Sequence, residues 1–299
     1  MHNFGFKVMD RNPDLLGPII DYAIRHRRPV EVGLYYGDAQ ALDLLGRQLF
    51  NAPIPVNAHT DHDRFNAFNL HLTQDLLEDH ILLARNLLGS AYSVLHTASL
   101  PMTLRPGRRP ALLKLLLDNL ERAEELCAAH DYRLHLENVF HPLSFYRDIF
   151  EGVHARGLSR IHFCFDIGHA KLWSGETLKD WIAFMEELAA MGFGLHCHLH
   201  ANQGLADEHL SMAEVDALGI GGADGYYNTY GYPEAFWVIE EHFPTAVKVF
   251  EVKTEQAIAN LETVAAAHSM ADAYPASAPP EQSASLHCRR SGSKQRQAV

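Results

Sequence analysis

Residues able to do chemistry are densest between Leu195 and Leu210, in the stretch LHCHLHANQGLADEHL of a 299-residue chain. His196, His198 and His200 stand at alternate positions, and Asp207 and His209 follow within one loop. Alternate side chains of an extended strand share a face, so the three imidazoles point the same way. Imidazoles mixed with carboxylates suit zinc, manganese or iron and suit calcium poorly. One divalent ion takes about four to six donors, so the question is which distant residues complete the set.

His59, His96, Glu137, Asp166, His198 and Glu251 each stand at or near the end of a short apolar run, and His169 follows Asp166 in the sequence DIGH. With Asp207 and His209 the candidates number nine, more than one ion uses. A carboxylate such as Glu137 can bridge, so the expectation is one to three divalent ions. Burying Glu137, Asp166, His198 and Glu251 without a counter-ion would be costly, which favours a metal over structural polarity. Glu137 and Glu251 are expected to bridge metal and substrate, with His169 or His200 moving protons. His135, His162 and His196 share the inward face and fit interior polar residues below the site. Lys253, near Glu251, is a candidate anion contact, as are Arg105, Arg108 and Arg109 in LRPGRRP. Residues 221–231, which hold Tyr226, Tyr227 and Tyr230, combine glycine hinges with aromatics as a lid over a sugar-like ligand does.

Those residues need a scaffold that brings positions 190 apart together. Strands are predicted over 4–8, 29–34, 54–60, 91–97, 133–139, 161–168, 195–201 and 247–253. Helices are predicted from Pro13, which Asn12 would cap, and over 41–50, 73–88, 110–129, 143–155, 177–191, 233–242 and 255–267. Eight strands alternating with helices imply a parallel sheet closed into a (β/α)8 barrel, whose strand C-termini converge on one face. A doubly wound open sheet is the alternative, and no GxGxxG follows the first strand to support it. One barrel over 1–268 and a disordered tail over 269–299, rich in Pro, Ser, Ala and Gln, account for the length. Cys288, Arg289 and Arg290 fall in that tail and receive no role.

Composition narrows the partners. Thirty-seven acidic against 25 basic residues give a net charge of −12, which disfavours a general nucleic-acid binder. The four cysteines form no CxxC pair and suggest no disulfide framework. Without a leader-like or membrane-length apolar run, the reading is a cytoplasmic protein with a small-molecule substrate and no membrane partner.

The segments HLENVF, CFDIGHAKLWSG, HLHANQGLADEHL and FEVKT resemble the xylose-isomerase-like, AP-endonuclease family 2 superfamily of TIM barrels, over roughly residues 4–265. The resemblance implies that Glu137, Asp166, His198 and Glu251 match the four ligands of its single-metal sugar isomerases and epimerases. Adding His59, His96, His169, Asp207 and His209 matches the nine-ligand, three-zinc set of its endonuclease IV class. Two positions depart from the epimerase pattern: Leu143 stands where a second catalytic glutamate is usual, and Gly204 where an arginine is usual. The leading expectation is a metal-dependent isomerase or epimerase of a sugar-like hydroxy-carbonyl compound. The alternatives are a multi-metal phosphoester hydrolase, a multinuclear iron oxidative enzyme, and a metal- or sugar-binding barrel without catalysis.

Overall fold

In the computed structural model, which describes residues 3–273, eight parallel strands close into a barrel in sequence order. The strands are β1 (Phe4–Met9), β2 (Val30–Gly33), β3 (Val56–His59), β4 (Tyr92–His96), β5 (Arg133–Glu137), β6 (Ile161–Asp166), β7 (Leu195–Leu199) and β8 (Val247–Phe250). The helices are α1 (Pro13–His26), α2 (Ala39–Leu49), α3 (Leu70–Leu88), α4 (Arg109–Ala129), α5 (Leu143–Ala155), α6 (Ile167–Trp173), α7 (Leu178–Ala190), α8 (Met212–Leu218), α9 (Glu234–His242) and α10 (Ala257–Ala273). The predicted (β/α)8 fold is therefore the observed one. Outward residues such as Phe6, Val8, Leu134, Leu136, Phe163 and Phe165 are buried against the apolar stripes of the helices, which forms the main core.

Strand register explains the convergence. His96 pairs with Glu137, and Asp166 with His198, so residues that end their strands lie side by side on one rim. The inward face below that rim is unusually polar, with Lys7, Glu31, Asn57, His135 and His196 all buried.

Three differences from the sequence reading have local causes. Asn12 precedes α1 in a left-handed conformation and makes no side-chain cap bond, so Pro13 and its fixed φ begin the helix instead. The segment after β6 is helical at once, because the Asp166 carboxylate accepts from the His169 amide and caps α6. The region 211–218, where the sequence predicts no helix, forms α8 under a Ser211–Glu214 capping box. α10 runs to Ala273, past the expected barrel boundary, and the rest of the expected tail, with Cys288, Arg289 and Arg290, lies outside the described residues. Cys127, Cys164 and Cys197 are free and buried. No helix among the described residues is long and apolar enough to cross a membrane.

Candidate metal centre

All nine residues expected as ligands meet at the C-terminal mouth of the barrel, in three neighbouring sets. In the first, His59 Nε2 and His96 Nε2 each lie 3.2 Å from Glu137 Oε2. In the second, His198 Nδ1 lies 3.0 Å from Glu251 Oε1, 3.4 Å from Glu137 Oε2 and 3.9 Å from Asp166 Oδ2. In the third, His169 Nε2 and His209 Nε2 each lie 3.1 Å from Asp207 Oδ2. Glu137 joins the first set to the second. The inner residues His59, Glu137, Asp166 and His198 are buried, whereas the side chains of Asp207 and His209 are 30% and 35% exposed at the mouth.

The second nitrogen of each ring reveals what the first must offer. His59 Nδ1 is 2.8 Å from the Thr60 carbonyl oxygen, His169 Nδ1 is 2.9 Å from that of Asn138, and His209 Nδ1 is 3.0 Å from that of Glu251. His198 Nε2 is 3.1 Å from a carboxylate oxygen of Glu31. For His169, His198 and His209 these carbonyl and carboxylate partners only accept, so the hydrogen of the neutral ring belongs on that side and a lone pair faces the carboxylates. Lone pairs at 3.0 to 3.4 Å from carboxylate oxygens repel unless a cation lies between them. His198 Nδ1 is buried without a well-aligned hydrogen bond, and Glu137 Oε1, equally buried, has His169 Nδ1 at 3.1 Å as its polar neighbour. The donor set thus fits divalent metal.

Charge points the same way. Five carboxylates, Glu31, Glu137, Asp166, Asp207 and Glu251, crowd this end of the barrel with one ammonium, Lys7, which pairs with Glu251 and lies 3.7 Å from Glu31. Four uncompensated negative charges equal the charge of two divalent ions. Without metal, protons must fill that demand. Burial, the largest influence on His209, lowers its pKa, but the hydrogen bond to Asp207 and the charge of Glu251 outweigh it and push it up to about 9. His198 is raised well above its usual value in the same manner, burial being outweighed by Cys164 and the surrounding carboxylates. Burial alone would raise Glu137, but His96 and His198 hold it well below the carboxylate range.

The remaining candidates fall in different places. His200 is fully buried, with Nε2 3.1 Å from Asp166 Oδ1 and its ring stacked on His209 at 4.1 Å. It lies within the cluster, and a Cβ at Gly168 would come within 2.0 Å of its ring, so DIGH needs its glycine there. Lys253 lines the cavity at its rim but pairs with Glu214 at 2.6 Å. Arg105 lies on a separate surface groove beside Phe68 and Arg108, and Arg109 pairs with Asp148. Tyr226 is 61% exposed and bonds the carbonyls of Lys171 and Ser174. Its loop is tied to α6 by Lys171–Asp224 at 3.0 Å, and none of Tyr226, Tyr227 and Tyr230 lines the main cavity.

That cavity, about 630 Å³, opens over the three sets. Its walls include residues the sequence reading missed: Lys7, Tyr35, His62, Phe140 and Trp173. Tyr35 Oη is 2.7 Å from His59 Nδ1, and the His62 ring stacks on His96 at 4.2 Å. Phe140 packs on Trp173 at 4.6 Å and adopts φ 55°, a left-handed conformation that is rare for an aromatic residue and typical of functional sites. For Lys7 and Glu31 a signal existed: each is a lone charge at an inward position of an otherwise apolar strand.

No protein-family model and no curated protein matches the chain. Solved structures do. The TTHB071 protein from Thermus thermophilus, soaked with ZnCl2, is 19% identical with a TM-score of 0.65, over 90% of this chain and 98% of that one. A D-tagatose 3-epimerase-like protein is also 19% identical, with a TM-score of 0.64 over 91% of this chain and 99% of that one. An AP endonuclease, family 2, from Brucella melitensis is 14% identical, with a TM-score of 0.59 over 88% of this chain and 99% of that one. These likenesses are in the fold, the closed eight-stranded barrel expected from the sequence.

Proposed function

We propose that this barrel is a multi-metal enzyme that acts on a small, oxygen-rich substrate, with phosphoester hydrolysis as the chemistry best supported by its geometry. The observation that carries this reading is the three histidine–carboxylate sets, each with ring nitrogens 3.1 to 3.4 Å from carboxylate oxygens, two of them joined through Glu137. Divalent ions held there supply Lewis acidity and make bound water acidic near neutral pH. His59, His96 and Glu137 would hold one ion, Glu137, Asp166, His198 and Glu251 a second, and His169, Asp207 and His209 a third. His200, against Asp166, either steadies that carboxylate or joins it as a further ligand. Lys7 keeps a fixed positive charge on the cavity floor, and Phe140 and Trp173 wall the cavity against water. The net acidic surface fits a small substrate better than nucleic acid.

Sugar isomerisation or epimerisation is the second reading, and the epimerase-like structural neighbour favours it. Against it, Leu143 is buried at the start of α5 and Gly204 carries no side chain, so the usual second acid and arginine have no counterpart at those positions. The test is reconstitution of the full chain with zinc, manganese or iron(II), followed by assays of bis(p-nitrophenyl) phosphate cleavage, ketose proton exchange in D₂O and oxygen uptake. The expected result is phosphoester cleavage that chelator and Glu137→Ala both abolish. Proton exchange without cleavage would replace this reading by the epimerase one, and iron-dependent oxygen uptake would replace it by an oxidative one.

A further inference from the structure

The geometry points to Glu31, which is not among the nine residues expected as ligands, as the positioning residue that decides which nitrogen His198 presents to metal. This inference rests on the multi-metal reading above. Glu31 lies on β2, across the barrel from His198 on β7, and both are fully buried. Its Oε2 is hydrogen-bonded to His198 Nε2 at 3.3 Å and accepts from Asn57 Nδ2 at 2.5 Å, its Oε1 lies 3.1 Å from the same His198 nitrogen, and His196 Nε2 is 3.0 Å away. Lys7 stands 3.7 Å away. An anion surrounded in this way is held in place, and it claims the His198 Nε2 hydrogen. Nδ1 is then the only His198 nitrogen with a free lone pair, and it faces Glu251 at 3.0 Å and Glu137 at 3.4 Å.

The alternative is that Glu31 merely neutralises the polar barrel interior together with Lys7 and His196. The two roles differ in what they do to one ion among several. As a positioning residue, Glu31 acts first on the His198 set: it contacts His198 directly, whereas His59 stands within 4.8 Å of it without a hydrogen bond and the His169–Asp207–His209 set is built on Asp207.

The experiment is cobalt(II) titration of the metal-stripped full chain, read by visible absorption and by metal analysis, for wild type, Glu31→Gln and Glu31→Ala. Glu31→Gln keeps the side chain's shape and carries the test where Glu31→Ala fails to fold, with circular dichroism as the folding check. The expected result is one cobalt equivalent weakened roughly 10- to 100-fold, as removal of outer partners of metal ligands typically does. Its ligand-field bands should shift while the other equivalents bind as in wild type, with Glu31→Gln milder than Glu31→Ala. Unchanged affinity and spectrum in folded Glu31→Gln would overturn the proposal, as would equal weakening of every equivalent. A wild-type count of one cobalt or none would instead overturn the multi-metal reading, independently of what the Glu31 variants do.

Discussion

Two layers of histidines occupy the same barrel and do opposite things. In the upper layer, His59, His96, His169, His198 and His209 point nitrogens at Glu137, Glu251 and Asp207. In the lower layer, His135 has Nδ1 3.2 Å from the Phe163 carbonyl oxygen and packs on Tyr92 at 4.4 Å, and His162 Nδ1 accepts from the Gly194 amide at 3.0 Å. The upper layer comes from β3, β4, β7, α6 and the loop after β7, the lower from inward positions of β5 and β6. What differs is the partner: carboxylates demand a cation, whereas neutral groups let the ring lose its charge. Burial, with a smaller contribution from Arg133, lowers His162 to about 4, while burial is outweighed at His209, which rises to about 9. His196 stands between the layers, its Nε2 on Glu31 and its Nδ1 3.0 Å from Tyr92 Oη. Residue type alone does not mark a metal site; the charge of the facing group does.

The sharpest way to break this contrast is Glu137→Ala, which removes the carboxylate shared by two sets. It should lower bound metal by two equivalents and reduce metal-dependent activity by more than the roughly 100-fold that loss of an outer partner costs. Metal analysis beside the phosphoester assay checks both. Next in size, Asp207→Ala should remove a single equivalent, because Asp207 faces only the outer set and the neighbouring His200, whose Nε2 is 3.8 Å from Asp207 Oδ1.

Chelation should destabilise the fold. Ions at 100 to 1,000 times their Kd contribute about 3 to 4 kcal/mol, and a domain of this size moves about 2 to 4 °C per kcal/mol. Calorimetry with and without EDTA should then show a drop of roughly 5 to 15 °C for one such ion. The lower layer supplies the smallest effects. His135→Phe should leave the metal count unchanged and shift stability by about 1 to 2 kcal/mol, within the ordinary range for an interior change. His162 binds a proton less readily folded than unfolded, so its contribution is fully present above about 6.5 and is lost as pH falls towards its folded value of about 4. Urea denaturation of metal-free protein across that window should show a limb that flattens in His162→Gln.

The fold was legible because each strand carries its own alternation and each helix its own stripe, signals contained in a few residues. The positions of the nine metal candidates followed from the same rule, since residues at strand ends converge when a barrel closes. Three kinds of feature were not legible. α6 and α8 are seven residues each, too short for a stripe, and depend on caps at Asp166 and Ser211. Arg105 and Tyr226 follow the rim strands in sequence, but loop packing turns them away from the cavity, which periodicity does not encode. Lys7 and Glu31 belong to the first two strands, which carry no histidine, so a search guided by ligand types passed over them although their lone charges in apolar strands were visible.

The central claim is that the upper layer is built for more than one cation. Metal content per chain, measured on full-length protein reconstituted with zinc and dialysed, tests it most directly. The account predicts two to three zinc ions per chain, falling with Glu137→Ala and unchanged in His135→Phe. One ion or none in the wild-type protein would contradict it.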